Sequence, residues 1–336
     1  MKRFLMMILV VVMVVGIATL GLSYEKAQQV GKMKIFFIVK ATESEFWQIV
    51  LDGARKAAKH YGVELIDQAP TTEADVAKQV SILETAISMR PDAIVIAPTV
   101  ADALVPGIEK AMANGIPVVI IDSAANTDKY VTFLASDNYK IGQISADQMA
   151  KFLEKKFGKP AGKVAVITFM SGVGSLEKRT KGFIDRVKEK YPGIEIVTVK
   201  DAQGKQGNTL NITLDLLTAF PDLNGIYANN QYTGDEVVRA LDMKGLKGKL
   251  AVVAVDAGPQ EMYGLKNGYV DALILQRPWV MGYSGVAYAV IARNLVPLGF
   301  DFPKFIDTGV AVITKDMLGK PEAEAILDPV KFYKDW

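Results

Sequence analysis

Short apolar runs alternate with longer amphipathic stretches along most of the chain. Ile35 to Val39 is apolar at every position, which is typical of a parallel strand buried on both faces of a sheet. Phe46 to Tyr61 instead repeats its apolar side chains at helical spacing, so one face of a helix is predicted to pack on the sheet. A strand and a helix recur about every 30 residues, the period of a βαβ unit with right-handed crossovers. The pattern therefore predicts an α/β fold.

This strand–helix series runs twice, which predicts two lobes. The first series begins at Lys34 and ends with a predicted strand over residues 117–121, and the second begins after Ala135. No low-complexity segment separates the two, so direct strand crossings fit the sequence better than one flexible tether. The predicted fold class is α/β, with two doubly wound parallel-sheet lobes.

The first residues have the composition of an export signal. Lys2 and Arg3 precede an apolar run from Phe4 to Leu22, and small residues lead up to Ser23. This order is typical of a secretory signal peptide, which we predict for residues 1–23. An uncleaved membrane anchor is the alternative, because the run is just long enough to span a bilayer. In both cases the rest of the chain is expected to be periplasmic or otherwise extracytoplasmic.

Charge and composition exclude several classes of function. The formal net charge is +2, and removing Lys2 and Arg3 subtracts two and leaves zero. The clustered Lys and Arg that nucleic acids and anionic membranes attract are not visible, so no nucleic-acid partner is expected. The chain has no cysteine, which excludes disulfides and cysteine nucleophiles. His60 is the only histidine and lies at a predicted helix end, so no catalytic residue, metal site or cofactor is predicted.

The residues that follow each predicted strand are the main candidates for a site, because ligands of open α/β sheets bind at the carboxyl ends of the strands. Carboxylates, amides, a guanidinium and two aromatic rings occur there, a mixture that suits hydrogen bonds to hydroxyl groups and packing against sugar faces. Each could instead be an ordinary helix cap or turn. The positions are Ser44–Trp47, Ala97–Thr99, Asp122–Ser123, Ser171–Ser175, Ala202–Gln206, Asn229–Gln231, Asp256 and Gln276–Arg277.

Other motifs are weaker indications of chemistry. Ser171–Ser175 follows a predicted strand and opens a helix, but it lacks the Lys and Ser or Thr of a nucleotide-binding loop. No EF-hand spacing or histidine pair indicates a metal. Phe46 and Trp47 either fill the core or line a cleft, and their place at a helix N-terminus directly after a strand favours the cleft.

Several segments occur together, in order, in one known family. With them the chain resembles, from about Lys34 to Ile313, the ribose-binding branch of periplasmic sugar-binding proteins, which serve ATP-driven importers. The segments are Phe46–Trp47 with Asp52–Ala54, Pro91–Thr99, Gly115–Asp122, Ala135–Asn138 with Gly142, Arg179–Phe183, Ala228–Asn230, Val255–Asp256 and Gln276–Pro278.

This resemblance implies an architecture and a set of partners. Three crossing strands near Ser136, Gln276 and Asp307 would join the lobes, with the ligand in the cleft between them. The N-terminal lobe would comprise residues 30–136 and 277–307, and the C-terminal lobe residues 137–276 and 308–336. The implied protein is a monomer without enzymatic activity that binds a small sugar or polyol and delivers it to the membrane subunits of an ABC importer.

The resemblance also implies ligand contacts, position by position. Phe46 and Trp47 correspond to the aromatic pair that sandwiches the sugar. The polar contacts correspond to Asp122, Arg179, Asn230, Asp256 and Gln276.

At four positions the chain departs from the ribose binders of this family. Ser44 and Ala97 stand where those proteins have Asn, Ser123 stands where they have Arg, and Gly204 aligns with a second stacking Phe. The departures predict a six-membered ring, a hexose or a cyclitol such as myo-inositol, in preference to ribose. Ribose or another pentose is the alternative ligand.

Two other classes of function compete with a binding protein. Sugar-responsive transcription regulators share the two-lobe core, but they need a DNA-binding head where this chain has its predicted signal peptide. A secreted carbohydrate hydrolase would need paired carboxylates, for which Asp122 and Asp256 are the candidates. No water-activating arrangement is readable around them, so a binding protein is the favoured interpretation.

Overall fold

The computed structural model describes residues 32–334. The predicted signal peptide, residues 1–23, lies outside the described residues. Across the part of the chain that is described, none of the helices combines the length and the apolar character needed to cross a bilayer.

Strands and helices alternate regularly through both halves of the chain. The strands are β1 (Lys34–Ile38), β2 (Glu64–Gln68), β3 (Ala93–Ile96), β4 (Val118–Ile121), β5 (Thr132–Ala135), β6 (Gly162–Thr168), β7 (Ile194–Asp201), β8 (Leu223–Ala228), β9 (Ala251–Val255), β10 (Ala272–Leu275), β11 (Phe305–Asp307) and β12 (Ala311–Thr314). The helices are α1 (Glu45–Tyr61), α2 (Val76–Ser88), α3 (Val105–Ala113), α4 (Asn138–Phe157), α5 (Gly174–Lys190), α6 (Gln206–Ala219), α7 (Gln231–Met243), α8 (Pro259–Asn267), α9 (Pro278–Leu295), α10 (Pro321–Leu327) and α11 (Pro329–Phe332).

The strands form two sheets, and each sheet is the centre of one lobe. The first sheet has the order β11-β5-β4-β3-β1-β2 and is parallel throughout. The second has the order β12-β10-β9-β8-β6-β7, and only its edge strand β12 is antiparallel. The predicted fold class of two parallel-sheet α/β lobes is confirmed.

The chain passes between the two sheets three times. It leaves the first sheet after β5 for β6, returns after β10 through α9 to β11, and leaves again for β12. Two of these passages lie side by side, because the Ser136 hydroxyl donates to the Gly309 carbonyl at 2.7 Å and the Thr308 N–H donates to the Ala135 carbonyl at 3.0 Å. The predicted crossings near Ser136, Gln276 and Asp307 fall at these places.

The continuous apolar strands are explained by burial on both faces of each sheet. In β1, Ile35 and Phe37 contribute to the core that α1 and α9 cover, whereas Phe36 and Ile38 contribute to the core under α2 and α3. All four are at most 3% exposed. Burial on both faces leaves no solvent face that would require alternating polar residues.

The described C-terminal residues contact both lobes. Ala323 on α10 is fully buried in the core of the second lobe. The ring of Tyr333, just past α11, instead stacks on Trp279 at the start of α9, with 4.3 Å between ring centroids. Lys56 on α1 donates to the Lys334 carbonyl at 2.9 Å. The C-terminal residues therefore add a noncovalent link between the lobes. The predicted residue limits of the lobes stay a prediction.

Glycines allow a close helix pair in each lobe. A Cβ on Gly53 of α1 would lie 2.2 Å from the Trp279 carbonyl oxygen of α9. In the second lobe, a Cβ on Gly142 of α4 would lie 2.1 Å from the Arg179 carbonyl oxygen of α5. Since real Cβ atoms do not approach backbone that closely, any larger residue forces the helices apart.

Gly142→Ala is expected to destabilise the protein by about 2 kcal/mol or more, because α5 must move as a unit to admit the methyl group. Arg179 would move with that helix. Gly207→Ala is the matched control: Gly207 is on α6, and nothing lies within 4 Å of its added Cβ. The control should stabilise the protein by up to about 1 kcal/mol through helix propensity. Urea denaturation checks both variants, and equal stabilities would contradict the close-packing account.

Candidate functional site

A small cavity, about 30 Å³ in volume, lies between the two lobes, at the carboxyl ends of both sheets. The structure brings together in the lining of this one cavity all seven residues that the sequence singled out, Phe46, Trp47, Asp122, Arg179, Asn230, Asp256 and Gln276.

Two of these residues follow equivalent strands in a strained backbone conformation. Asp122 directly follows β4 with a φ of 63°, and Asp256 directly follows β9 with a φ of 88°. A left-handed conformation costs a residue other than Gly on the order of 1–3 kcal/mol and concentrates at functional sites. Both strands therefore end in a bend that turns a carboxylate toward the space between the lobes.

Asp122 is half of a buried ion pair within the first lobe. Its carboxylate lies 2.6 Å from the ammonium of Lys40, and the two side chains are 4% and 3% exposed. Lys40 also donates to the Ser123 hydroxyl at 2.6 Å. The charge that Asp122 brings to the cavity is therefore neutralised by its own lobe.

A second carboxylate, on Glu73, is fixed by an aromatic ring. The indole N–H of Trp47 donates to Glu73 at 2.8 Å, and both side chains are buried. Burial raises the pKa of Glu73, although the charge of Lys40 and the hydrogen bond from Trp47 oppose that rise. The Trp47 ring thereby takes one fixed orientation in the cavity wall.

The aromatic pair is not parallel. The rings of Phe46 and Trp47 meet at 86°, with their centroids 4.9 Å apart. Two rings in edge-to-face contact leave no space for a sugar between them, so this pair does not sandwich a ligand as the resemblance implied. The predicted aromatic contact can therefore involve only one ring face together with the edge of the other ring.

Arg179 projects from α5 into the floor of the cavity in the second lobe. It is 2% exposed, and it donates to the side-chain oxygen of Asn138 at 2.7 Å and to the Asn229 carbonyl at 2.9 Å. A guanidinium has five N–H donors, so three remain beyond these two bonds. The bonds to Asn138 and to the Asn229 carbonyl fix the guanidinium of Arg179, whose remaining donors are available to a ligand in the cavity.

Asp256 and its neighbours are the polar groups at the ends of β8, β9 and β10. The Gln276 amide donates to Asp256 at 2.8 Å, and the Gln231 N–H donates to the other carboxylate oxygen at 3.3 Å. Burial raises the pKa of Asp256, which the charge of Arg179 and the Gln276 hydrogen bond oppose. Asn230 also caps α7, since its side-chain oxygen accepts from the Thr233 N–H at 3.1 Å. For Asn230, the capping role and the place in the cavity wall coexist.

Contacts between the lobes enclose the cavity. The side-chain oxygen of Gln231, in the second lobe, accepts from the Ser44 hydroxyl at 2.9 Å and from the Phe46 N–H at 3.3 Å. The amide of Gln231 also donates to the carboxylate of Glu45. At another edge, the Ala101 N–H donates to the Gly172 carbonyl at 3.1 Å. The structure is therefore a closed arrangement of the two lobes.

Sequence reasoning missed three polar residues of the lining, Lys40, Glu73 and Tyr232, and placed Gln231 among the strand-end candidates without naming it as a ligand contact. Lys40 comes two residues after β1, so reading every strand end would have found it. Glu73 lies in the loop after β2, where no candidate was sought. Tyr232 is the second residue of α7 and resembles an ordinary helix position.

The four positions that depart from the ribose pattern have different surroundings. Ser44 lines the cavity, whereas Ala97, Ser123 and Gly204 are absent from its lining. A Cβ on Gly204 would lie 3.0 Å from the sulfur of Met170 and 3.1 Å from the Cβ of Ala74. Gly204 thus lies where the second lobe meets Ala74 of the first, and it does not open extra space for a ligand.

Comparisons with known proteins agree on one family. The family model of the periplasmic binding protein domain matches residues 35–293. The ribose import binding protein RbsB of Bacillus subtilis (strain 168) is 29% identical over 263 residues, which cover 77% of this chain and 82% of that protein.

Two solved structures share both fold and sequence with the chain. A carbohydrate transporter solute binding protein from Agrobacterium radiobacter, in complex with D-arabinose, is 38% identical with a TM-score of 0.84, covering 89% of this chain and all of that one. An ABC transporter solute binding protein from Agrobacterium vitis, with bound D-fucose, is 36% identical with a TM-score of 0.80, covering 88% and 99%. With two α/β lobes around an enclosed cavity, the chain belongs to the periplasmic binding protein domain family.

Proposed function

We propose that this protein is the extracytoplasmic solute-binding subunit of an ABC importer and that it captures a neutral monosaccharide or polyol by closure of its lobes. The observation that carries the proposal is the enclosed cavity, whose walls come from both lobes. A ligand that touches both lobes favours the closed form over the open one. We further propose that the protein works as a monomer, is exported by residues 1–23 and has no catalytic residue.

The charges of the cavity support an uncharged ligand. Lys40 neutralises Asp122, and the charge of Arg179 acts on Asp256. Burial raises the pKa of Glu73, which favours its neutral form. An ionic ligand would have to disrupt one of these balances inside a buried site. Hydroxyl groups, which both donate and accept, fit the remaining amides, carboxylate oxygens and guanidinium donors without such a cost.

The finer proposal is a six-membered ring, a hexose or a cyclitol such as myo-inositol, in preference to ribose. The departure from the ribose pattern at Ser44, which lines the cavity, supports it, as does the solved relative with bound D-fucose, a six-carbon sugar. The solved relative with D-arabinose and the ribose import relative support a pentose as the alternative. Ala97, Ser123 and Gly204 give no support to either ligand, because they lie outside the cavity lining.

Titration calorimetry with D-glucose, D-fucose, myo-inositol, D-arabinose and D-ribose tests both levels of the proposal. We expect at least one of the five to bind with a dissociation constant in the micromolar range or tighter, and a six-carbon compound to bind more tightly than D-ribose. Tight binding should also raise the melting temperature by several degrees. D-Ribose as the tightest ligand would contradict the ring-size proposal alone. Binding of none of the five would contradict capture of a monosaccharide.

A further inference from the structure

Tyr232 is part of the cavity wall in the second lobe, and its ring is held rigidly. It follows the capping residue Asn230 by two positions at the start of α7 and is 6% exposed. Its ring stacks on Phe169 with 4.5 Å between the centroids and 20° between the planes. Val173 and Leu176 belong to the same apolar cluster and also line the cavity. The cluster supplies an apolar surface on the second lobe, whereas Phe46 and Trp47 supply one on the first.

The hydroxyl of Tyr232 is buried in the cavity wall, and it finds no hydrogen-bond partner anywhere in residues 32–334. Ser44 is its polar neighbour: the Ser44 hydroxyl donates to Gln231 and can still accept from Tyr232, but the two hydroxyls do not meet in the geometry of a normal hydrogen bond. Burial and the charges of Glu73 and Glu43 raise the pKa of Tyr232 well above its usual value. The hydroxyl therefore stays protonated and can donate a hydrogen bond.

A second cavity atom is in the same condition. The side-chain oxygen of Gln276 is buried and has no partner among the described residues. The NH2 group of the same side chain donates to Asp256. Buried polar groups without a partner are unfavourable and rare, so such groups in a native site call for an explanation. A donor on Tyr232 and an acceptor on Gln276, both in the lining of one cavity, are complementary to a molecule that carries several hydroxyl groups.

We propose that Tyr232 is a specificity-determining residue whose ring closes the cavity on the second lobe and whose hydroxyl donates a hydrogen bond to one hydroxyl oxygen of the bound sugar. This inference rests on the proposed function. It also implies selection against analogues that lack the contacted hydroxyl, because they leave the Tyr232 hydroxyl buried without a partner. Sites built around such a bond reject the deoxy analogue far more strongly than an apolar pocket rejects a change in size.

Tyr232→Phe tests the hydroxyl while leaving the stacked ring in place. The probe is whichever of D-arabinose, D-fucose, D-glucose, D-ribose and myo-inositol binds the wild-type protein most tightly by calorimetry. We expect the substitution to weaken binding of that probe by about tenfold or more, the loss of one buried hydrogen bond. The melting temperature of the ligand-free variant should stay unchanged or rise, because the lost hydroxyl makes no hydrogen bond of normal geometry to any described residue. A hydroxyl with a structural role would lower it.

Tyr227→Phe is the matched control. Tyr227 is fully buried in β8, and its ring stacks on Phe183 at 4.4 Å. Its hydroxyl, like that of Tyr232, has a serine nearby, Ser145, but makes no hydrogen bond of normal geometry within residues 32–334. It belongs to the core of the second lobe and not to the cavity wall. The control should therefore retain wild-type affinity for the same probe.

Three outcomes would overturn the inference, and they are distinguishable. Unchanged affinity of the Tyr232→Phe variant, with normal binding by the wild type, would overturn the role of Tyr232 but leave the proposed function intact. An equal loss of affinity in both variants would show that the effect comes from the core and not from a ligand contact. No binding of any probe by the wild type would overturn the proposed function and this inference with it.

Discussion

Lys40→Met is expected to lower the free energy of unfolding by about 3–5 kcal/mol and to weaken sugar binding by at least tenfold. The substitution removes the ammonium that lies 2.6 Å from Asp122 and leaves that carboxylate buried without its counter-charge. Lys40 also lines the cavity, so a donor for the ligand is lost at the same time. Chemical denaturation measures the stability, and calorimetry measures the affinity.

The double variant Lys40→Met with Asp122→Asn separates the two effects. It removes both charges of the buried pair, and Asn tolerates the left-handed backbone at position 122 as Asp does. The double variant should therefore recover most of the stability but none of the binding. Lys110→Met is the control, because it breaks an ion pair with Glu84 that is half exposed and worth less than about 1 kcal/mol. An equally small loss for Lys40→Met would contradict the buried-pair account.

Arg179→Ala is expected to weaken binding by at least tenfold, and by about a hundredfold if two donors reach the ligand. It should also lower stability by about 1–3 kcal/mol, because Asn138 and the Asn229 carbonyl lose their donor inside the protein. Arg179→Lys keeps the charge but loses the fork of donors, so it should rescue little of the affinity. Calorimetry on both variants checks the prediction.

Arg186→Ala provides a control on the same helix. Arg186 binds Asp147 through two bonds of 2.7 and 2.9 Å, and it does not line the cavity. Its loss should lower stability while leaving the affinity unchanged. If Arg179→Ala also loses stability alone, Arg179 supports the lobe and does not bind the ligand.

The sequence was sufficient for most of the fold because the strands are buried on both faces. A continuous apolar run of five residues such as Ile35–Val39 lacks the spacing of an amphipathic helix and is therefore read as a strand. The regular spacing of such runs along the chain predicts the α/β order. The strand β5 was missed because the prediction depended on strands and helices alternating. No helix separates it from β4, so the strand–helix period on which the prediction depended fails there. The C-terminal helices α10 and α11 were also missed, since each is too short for a periodic pattern.

The site could be predicted where the topology determines it. Asp122, Asp256 and Gln276 follow parallel strands directly, and the carboxyl ends of those strands meet in space whatever the side chains do. Glu73 and Tyr232 depend on the paths of a loop and of a helix start, which no periodicity encodes. The place of Gly204 was harder still. A glycine either opens space for a ligand or lets a neighbouring side chain pack closely. At Gly204 the neighbour is Ala74 of the other lobe, which the sequence alone does not reveal.

The central claim is that a sugar is captured by closure of two lobes, and small-angle X-ray scattering tests it most directly. The radius of gyration should be measured without ligand and at saturation with the tightest-binding sugar of the calorimetry series. A smaller radius of gyration is expected with the ligand, because contacts from Asp122 in the first lobe and Arg179 in the second favour the closed form shown by the structure. An unchanged radius at saturation would contradict capture by closure.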